Sequence, residues 1–113
     1  MYDTNNIFAK IIRKEIPSKL IYEDDQVIAF HDLHPVAPIH ALIIPKGQYT
    51  DYLHFIETAP SETQIYFFQK VASLAKELCG EHFRLCTNNG SASGQTIFHF
   101  HMHIIGGKQL GGL

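Results

Sequence analysis

The chain has 113 residues, of which 45% are hydrophobic and 18% are charged, so it can bury a core without disulfides and has the composition of a folded globular protein. Its formal net charge of -2 argues against a surface for nucleic acid or for anionic membranes as the main function. No apolar run approaches the ~20 residues that a membrane span requires.

Periodic apolar residues and strong breakers divide the chain into predicted helices and strands. Near the start, apolar residues recur at the spacing of one helix face, and Asn6 precedes them where its side chain can cap free amides. A longer helical repeat begins at Ser61–Gln64, which fits a capping box, and stops at Gly80. In chain order, the predicted elements are a helix over Ile7–Arg13, a hairpin of Leu20–Glu23 and Gln26–His31, a proline-fixed loop over His31–Pro38, a strand over His40–Pro45, a helix over Ser61–Cys79, a strand over Phe83–Thr87, a loop over Asn88–Gln95 and a strand over Phe98–Ile105.

The order of these elements predicts the fold class. The connections between most predicted strands are too short for parallel crossovers, so the sheet should be mainly antiparallel. We therefore expect one α+β domain over residues 1–113, with a five-stranded antiparallel sheet, one short helix and one long helix.

The first residues and the two cysteines bear on the cellular location of the protein. Residues 1–6 are polar and no apolar segment follows them, which is unlike a signal peptide. Cys79 and Cys86 form neither a disulfide framework nor a Cys-x-x-Cys pair, so inert thiols are expected. A cytoplasmic location is the resulting expectation.

Three histidines alternate with large apolar residues in the segment Phe98–Ile105. As a strand, this segment would place its apolar residues against a core and its histidines in a row, about 6.6 Å apart, on the opposite face. As a helix, it would gather neither set on one side. The predicted core face carries Phe98, Phe100, Met102 and Ile104, and the other face carries His99, His101 and His103.

The residues alone leave three interpretations of the histidine row open. In the first, the row is the solvated face of an edge strand. In the second, it is part of a zinc site, which would need a further ligand from elsewhere because three histidines along one strand cannot all reach one ion. In the third interpretation, one imidazole lone pair attacks phosphorus while its neighbours hold its tautomer. The preceding loop favours the third, because Gly90 and Gly94 let the backbone approach a ligand and expose amides to an anion.

The run His99–Ile105, preceded by Gly94-Gln95, resembles the motif of the histidine triad family of nucleotide hydrolases and transferases. Other stretches are similar to the branch of that family that cleaves purine nucleoside phosphoramidates, and the resemblance extends from about Ile7 to Gly107. These stretches are Ile7–Pro17, Tyr22–Asp25, Ala29–Asp32 and Ala37–His40.

The resemblance implies a role for each histidine of the cluster. His101 would attack the α-phosphorus and form a nucleotidyl-histidine, which water then hydrolyses. His103 would contact the phosphate oxygens, and the backbone around His99 would orient the ring of His101. His99 and His40 would complete the cluster. No cofactor is implied.

The resemblance also implies a site for a purine nucleoside monophosphate or its phosphoramidate. Asp32 would accept hydrogen bonds from the ribose hydroxyls, although the residues alone equally allow a turn-capping aspartate. The apolar members of this set are equally consistent with plain core. The implied residues are Phe8, Ile11, Phe30 and Leu33 around the base, Asn88 at the ribose-phosphate end, and Gly94, Gln95 and Thr96 on the phosphate and leaving-group side.

Departures from the family pattern qualify these expectations. Thr96 stands where many members have serine, which keeps the hydroxyl and adds a methyl group. No cysteine lies near the first helix, so we predict no zinc. The tail after Gly107 is short, which leaves the leaving-group specificity open.

Two further expectations concern assembly and a rival function. The resemblance implies a homodimer with a continuous ten-stranded sheet, and twofold dimers are the commonest homo-oligomers. The helix Ser61–Cys79 is a candidate interface, although it equally serves to cover its own sheet. The rival function is a purine nucleotide-binding protein that acts through partners without catalysis, and its distinguishing feature would be binding without turnover.

Overall fold

Nine elements make up the fold, and the structure, a computed structural model, describes residues 1–113. Their bounds agree with the predicted elements to within one residue except for the last strand, and one helix is added between the third strand and the long helix. The elements are α1 (Ile7–Ile12), β1 (Leu20–Glu23), β2 (Val27–His31), β3 (Ile39–Pro45), α2 (Tyr52–Thr58), α3 (Ser61–Cys79), β4 (Phe83–Cys86), a 3-10 turn (Ser91–Ser93) and β5 (Met102–Gly106).

The five strands form one antiparallel sheet in the order β1-β2-β3-β5-β4. This confirms the predicted α+β class and antiparallel sheet. β5 lies between β3 and β4, with Leu42 paired to His103 and His40 paired to Ile105. His40 and His103 are therefore diagonal neighbours on one face of the sheet, although 63 residues separate them in sequence.

Each face of the sheet has its own core. The larger cluster joins α2 and α3 to one face, where Phe55, Phe67 and Phe100 are each at most 1% exposed. The smaller cluster joins α1 to the other face through Phe8 and Phe30. Burial of apolar area at roughly 25 cal/mol per Å² holds both layers together. His40 and His103 share a face with Leu42, and this is the α1 side of the sheet.

The helix α2 is absent from the sequence prediction. Its seven residues bury only Phe55, so they carry no apolar stripe that would reveal a helix. The helix begins because the side chain of Asp51 accepts a hydrogen bond from the backbone N–H of His54 at 2.8 Å. The structure therefore has two short helices and one long helix, whereas the sequence predicted one of each.

The predicted capping box at the start of α3 is also wrong. Pro60 occupies the N-cap position and makes no side-chain cap. The side chain of Gln64 instead donates to the carbonyl oxygens of Ile56 and Ala59, both at 2.9 Å. Gln64 therefore ties the end of α2 to the start of α3, which a pattern of adjacent residues cannot indicate.

The histidine segment is a strand only in its second half. Regular pairing starts at Met102, and Phe98, predicted to face the core, is 41% exposed. The reason lies in its neighbours: the ring Nε2–H of His99 donates to the carbonyl oxygen of Pro45 at 2.7 Å, and the backbone N–H of Phe100 donates to the carbonyl oxygen of Tyr49. These bonds replace the sheet ladder, and His99 is completely buried rather than on an open face.

None of the helices combines the length and the hydropathy that crossing a bilayer requires.

Candidate active site

A cavity of about 390 Å³ opens on the α1 side of the sheet. This volume lies in the range of small-molecule sites. Apolar side chains line one part of the cavity, and imidazoles, a carboxylate and a glycine-containing loop line the other part. The apolar lining includes Ile7, Phe8, Ile11, Phe30, Leu33 and Ile97, and the polar lining includes Asp32, Asn88, Gly94, Thr96, His101 and His103.

The tautomer of His101 follows from its hydrogen bond. Its Nδ1 lies 2.7 Å from the carbonyl oxygen of His99, which can only accept, so Nδ1 carries the proton. The lone pair of the neutral ring is then on Nε2. The ring of Phe8 packs edge-on against the imidazole with centroids 5.0 Å apart. His101 is 8% exposed and lines the cavity, so a fixed ring presents a nucleophilic nitrogen to a bound molecule.

The tautomer of His103 follows from a chain of two hydrogen bonds. The backbone N–H of Val36 donates to Nδ1 of His40 at 3.1 Å, so His40 carries its proton on Nε2. That Nε2–H points to Nδ1 of His103 at 2.9 Å and lies 3.5 Å from Oδ2 of Asp32. His103 therefore accepts on Nδ1 and carries its own proton on Nε2. The site has one imidazole lone pair and one imidazole N–H side by side, with ring centroids 5.2 Å apart.

Burial keeps these rings neutral at physiological pH. Desolvation lowers the pKa of His101, against the opposing effects of its bond to the His99 carbonyl and the charge of Asp32. Desolvation lowers the pKa of His103 to about 4, and the neighbouring rings of His101 and His40 act in the same direction. Burial likewise lowers the pKa of His99 to about 4. Neutral imidazoles are the form that can attack phosphorus and donate a single defined N–H.

The other histidines of the chain contribute differently. His40 is buried and does not line the cavity itself, but its Nε2 contacts both His103 and Asp32, which do. His99 is enclosed, with Nδ1 2.6 Å from the hydroxyl of Tyr2. His31 and His34 are exposed and lie at the rim of the cavity. Tyr2 carried no signal in the sequence, because a tyrosine in a polar leading segment matches no motif.

The loop before the histidine segment lines the cavity with Asn88, Gly94 and Thr96. Gly94 adopts φ of +99°, a backbone conformation that side chains with a Cβ rarely adopt. Gln95 departs from its expected place, because its side chain is 4% exposed and does not line the cavity. Its amide donates to the carbonyl oxygens of Thr50 and Ile97 and accepts from Gly90, so it fixes the loop from behind.

One group of side chains has the composition of a metal site. The ligand atoms of Asp32, His40 and His103 all lie within 4.8 Å of one another. Three of the four ring nitrogens in the group already have a hydrogen-bond partner, since His40 donates to Nδ1 of His103 and accepts from Val36. Binding an ion there would require His40 to lose its Nε2 proton. The expectation of no bound metal stays a prediction.

Comparison with known proteins gives concordant matches over nearly the whole chain. The sequence model described as HIT domain matches residues 13–110. A protein of Rickettsia prowazekii (strain Madrid E), named an uncharacterized HIT-like protein, is 53% identical over 115 residues, covering 100% of this chain and 96% of that protein. A solved histidine triad protein from Clostridium difficile has a TM-score of 0.85 and 38% identity, covering 100% of this chain and 99% of its own. A solved HIT family hydrolase from Clostridium thermocellum has a TM-score of 0.83 and 38% identity, covering 96% of both chains.

Proposed function

The chain belongs to the HIT domain family, as its histidine motif predicted, and from this premise we propose that it is a hydrolase of purine nucleoside phosphoramidates. The proposed reaction cleaves the P–N bond at the α-phosphorus and releases a nucleoside monophosphate and an amine. The observation that carries the proposal is the pair of complementary tautomers, in which Nε2 of His101 holds a lone pair beside an N–H of His103.

The proposed chemistry has two steps at phosphorus. In the first, Nε2 of His101 forms a bond to the α-phosphorus while the bond to the amine nitrogen breaks, and that nitrogen leaves with the electron pair and takes a proton from water. In the second, water attacks the phosphorus, the bond to His101 breaks and the lone pair returns to Nε2, while the proton that the attacking water loses neutralises the hydroxide left by the first step. The N–H of His103 donates to the phosphoryl oxygens in both steps, where negative charge develops.

The proposed binding mode divides the nucleotide between the two parts of the cavity. The purine stacks among Phe8, Ile11 and Phe30, where apolar side chains already exclude water. The carboxylate of Asp32 accepts from the ribose hydroxyls. Its Oδ1 also accepts from the backbone N–H of His34 at 2.8 Å, which supports a fixed orientation. Leu33 closes the base slot, Asn88 contacts the ribose-phosphate end, and Gly94 and Thr96 lie beside the phosphate and the leaving amine.

Turnover of defined phosphoramidates tests the proposal. The purified protein is mixed with adenosine or guanosine 5′-phosphoramidate, and phosphorus NMR follows the appearance of the monophosphate. Rapid quenching followed by mass spectrometry should find one nucleotidyl group per site, attached to His101. Binding of the monophosphate with no turnover of either substrate would contradict the hydrolase and support the rival binding protein.

The dependence of kcat/KM on pH should reveal the buried imidazole. Only the neutral ring attacks, and an unperturbed histidine would lose activity as the pH falls through about 6.5. Because burial lowers the pKa of His101, the protein should keep its activity below that pH and lose it at a lower midpoint. Stopped-flow or NMR rates, corrected for acid hydrolysis of the substrate, measure the profile. An acid midpoint above 6.5 would contradict a buried neutral nucleophile.

The proposal includes a homodimer. The helix α3 exposes Ile65 by 58%, and β4 is an edge strand of the sheet whose Leu85 is 39% exposed. An edge strand can pair with a second copy and extend the sheet to ten strands. Light scattering should give twice the chain mass, and Ile65→Lys should shift the equilibrium towards monomer while Lys76→Glu on the same helix should not. A monomeric wild-type protein at micromolar concentration would overturn this part.

A further inference from the structure

We propose that Tyr2 is a positioning residue of the active site, acting on His101 through His99. The hydroxyl of Tyr2 lies 2.6 Å from Nδ1 of His99, and the two rings meet edge to face with centroids 5.6 Å apart. Tyr2 does not line the cavity. This inference concerns the proposed reaction and goes beyond it by adding a residue outside the histidine motif.

The segment that carries Tyr2 is held against the protein without belonging to a helix or strand. The backbone N–H and the side-chain amide of Asn6 both donate to the carbonyl oxygen of Asp3, at 3.2 and 2.8 Å. The guanidinium of Arg13 donates to the carbonyl oxygen of Thr4 at 2.8 Å. Asn6 also caps α1 through the N–H of Ala9. These bonds place the tyrosine ring over His99.

The hydrogen bonds of His99 assign a direction to the contact with Tyr2. The carbonyl oxygen of Pro45 accepts from Nε2–H of His99 at 2.7 Å, so the neutral ring has its lone pair on Nδ1. The hydroxyl of Tyr2 must therefore donate to Nδ1. His99 is 0% exposed, so without this hydroxyl its Nδ1 would be a buried acceptor with no partner.

The hydrogen bond between Tyr2 and His99 affects the nucleophile His101 through the backbone of His99. The carbonyl oxygen of His99 accepts from Nδ1–H of His101, and this bond is what leaves the lone pair on Nε2. A tilt of the His99 ring would shift its backbone and misalign that carbonyl. The ring of Phe8 also contacts both imidazoles, with its centroid 6.4 Å from that of His99 and 5.0 Å from that of His101. A movement of the His99 ring would therefore also reach His101 through Phe8.

The substitution Tyr2→Phe tests the inference, because it keeps the ring and removes only the oxygen. Residues that orient a metal-ligating histidine from behind typically contribute about 10–100-fold, and we take the lower end of that range for a nucleophilic histidine. We expect kcat for a phosphoramidate to fall about tenfold with KM unchanged, since Tyr2 does not reach the cavity. Tyr22→Phe is the matched control, because the hydroxyl of Tyr22 makes a bond of similar length, 2.7 Å to Asp24, away from the site.

Nitrogen NMR of the histidines supplies a readout that does not depend on turnover. In Tyr2→Phe, the Nδ1 resonance of His99 should move towards that of a free unprotonated nitrogen, and the Nδ1–H of His101 should exchange faster with water. Unchanged resonances, unchanged kcat, or equal changes in Tyr22→Phe would overturn the inference. If wild-type protein hydrolyses no phosphoramidate, the proposed function fails, and the NMR comparison still decides whether Tyr2 positions His101.

Discussion

Replacing His101 by alanine should reduce kcat for phosphoramidate hydrolysis by at least about 10³-fold, because the bond-forming nitrogen is lost. No neighbouring imidazole presents a free lone pair to the cavity that could replace it. His103 uses Nδ1 as an acceptor and carries its proton on Nε2, and both nitrogens of His99 have partners inside the protein. Single-turnover experiments on His101→Ala should also find no nucleotidyl adduct.

The control for His101→Ala is His82→Ala, which removes an exposed imidazole outside the cavity and should leave kcat unchanged. Calorimetry with a nucleoside monophosphate separates chemistry from binding, since the base slot and Asp32 remain in the His101 variant. Affinity within a few-fold of wild type is expected. Residual turnover within tenfold of wild type would remove His101 as the nucleophile, and an adduct on His103 would reassign the role.

Local patterns in the sequence predict the elements of the fold because those elements depend on neighbouring residues. The predicted bounds of α3, Ser61–Cys79, agree with the structure, since apolar residues recur over five helical turns and Gly80 ends them. The sheet strands agree to within one or two residues, apart from β5. The helix α2 could not be predicted in this way, and its one visible signal is Asp51 before Tyr52 as a capping residue.

The geometry of the candidate site depends on contacts between distant parts of the chain, and these escape a local pattern. The motif predicts that His101 and His103 lie together. It does not predict that His40, on β3, sets the tautomer of His103, because that requires the register between β3 and β5. Nor does it predict that His99 bonds to Pro45 in the interior and that the strand begins only at Met102. Long-range partners, rather than the motif itself, give each imidazole its state.

Phe55 illustrates how the unpredicted helix α2 supports the site, and Phe55→Ala should destabilise the protein by about 3–5 kcal/mol. The side chain is 0% exposed and lies at the centre of an aromatic cluster. Its ring stacks on Phe100 with centroids 4.9 Å apart, and it meets Tyr49 and Phe67 edge to face at 5.0 and 5.3 Å. Alanine would leave a cavity that three rings cannot fill without leaving their rotamers.

Urea denaturation at a fixed protein concentration measures this loss, and Leu53→Ala is the matched control. Leu53 lies on the same helix with 52% exposure, so its truncation should change the unfolding free energy by less than about 0.5 kcal/mol. Because Phe100 sits between His99 and His101, Phe55→Ala should also lower kcat under conditions where the variant is fully folded. Equal stability of the two alanine variants would show that α2 is dispensable to the core. That result would also contradict the argument that packing on the opposite face of the sheet fixes the backbone of the nucleophile.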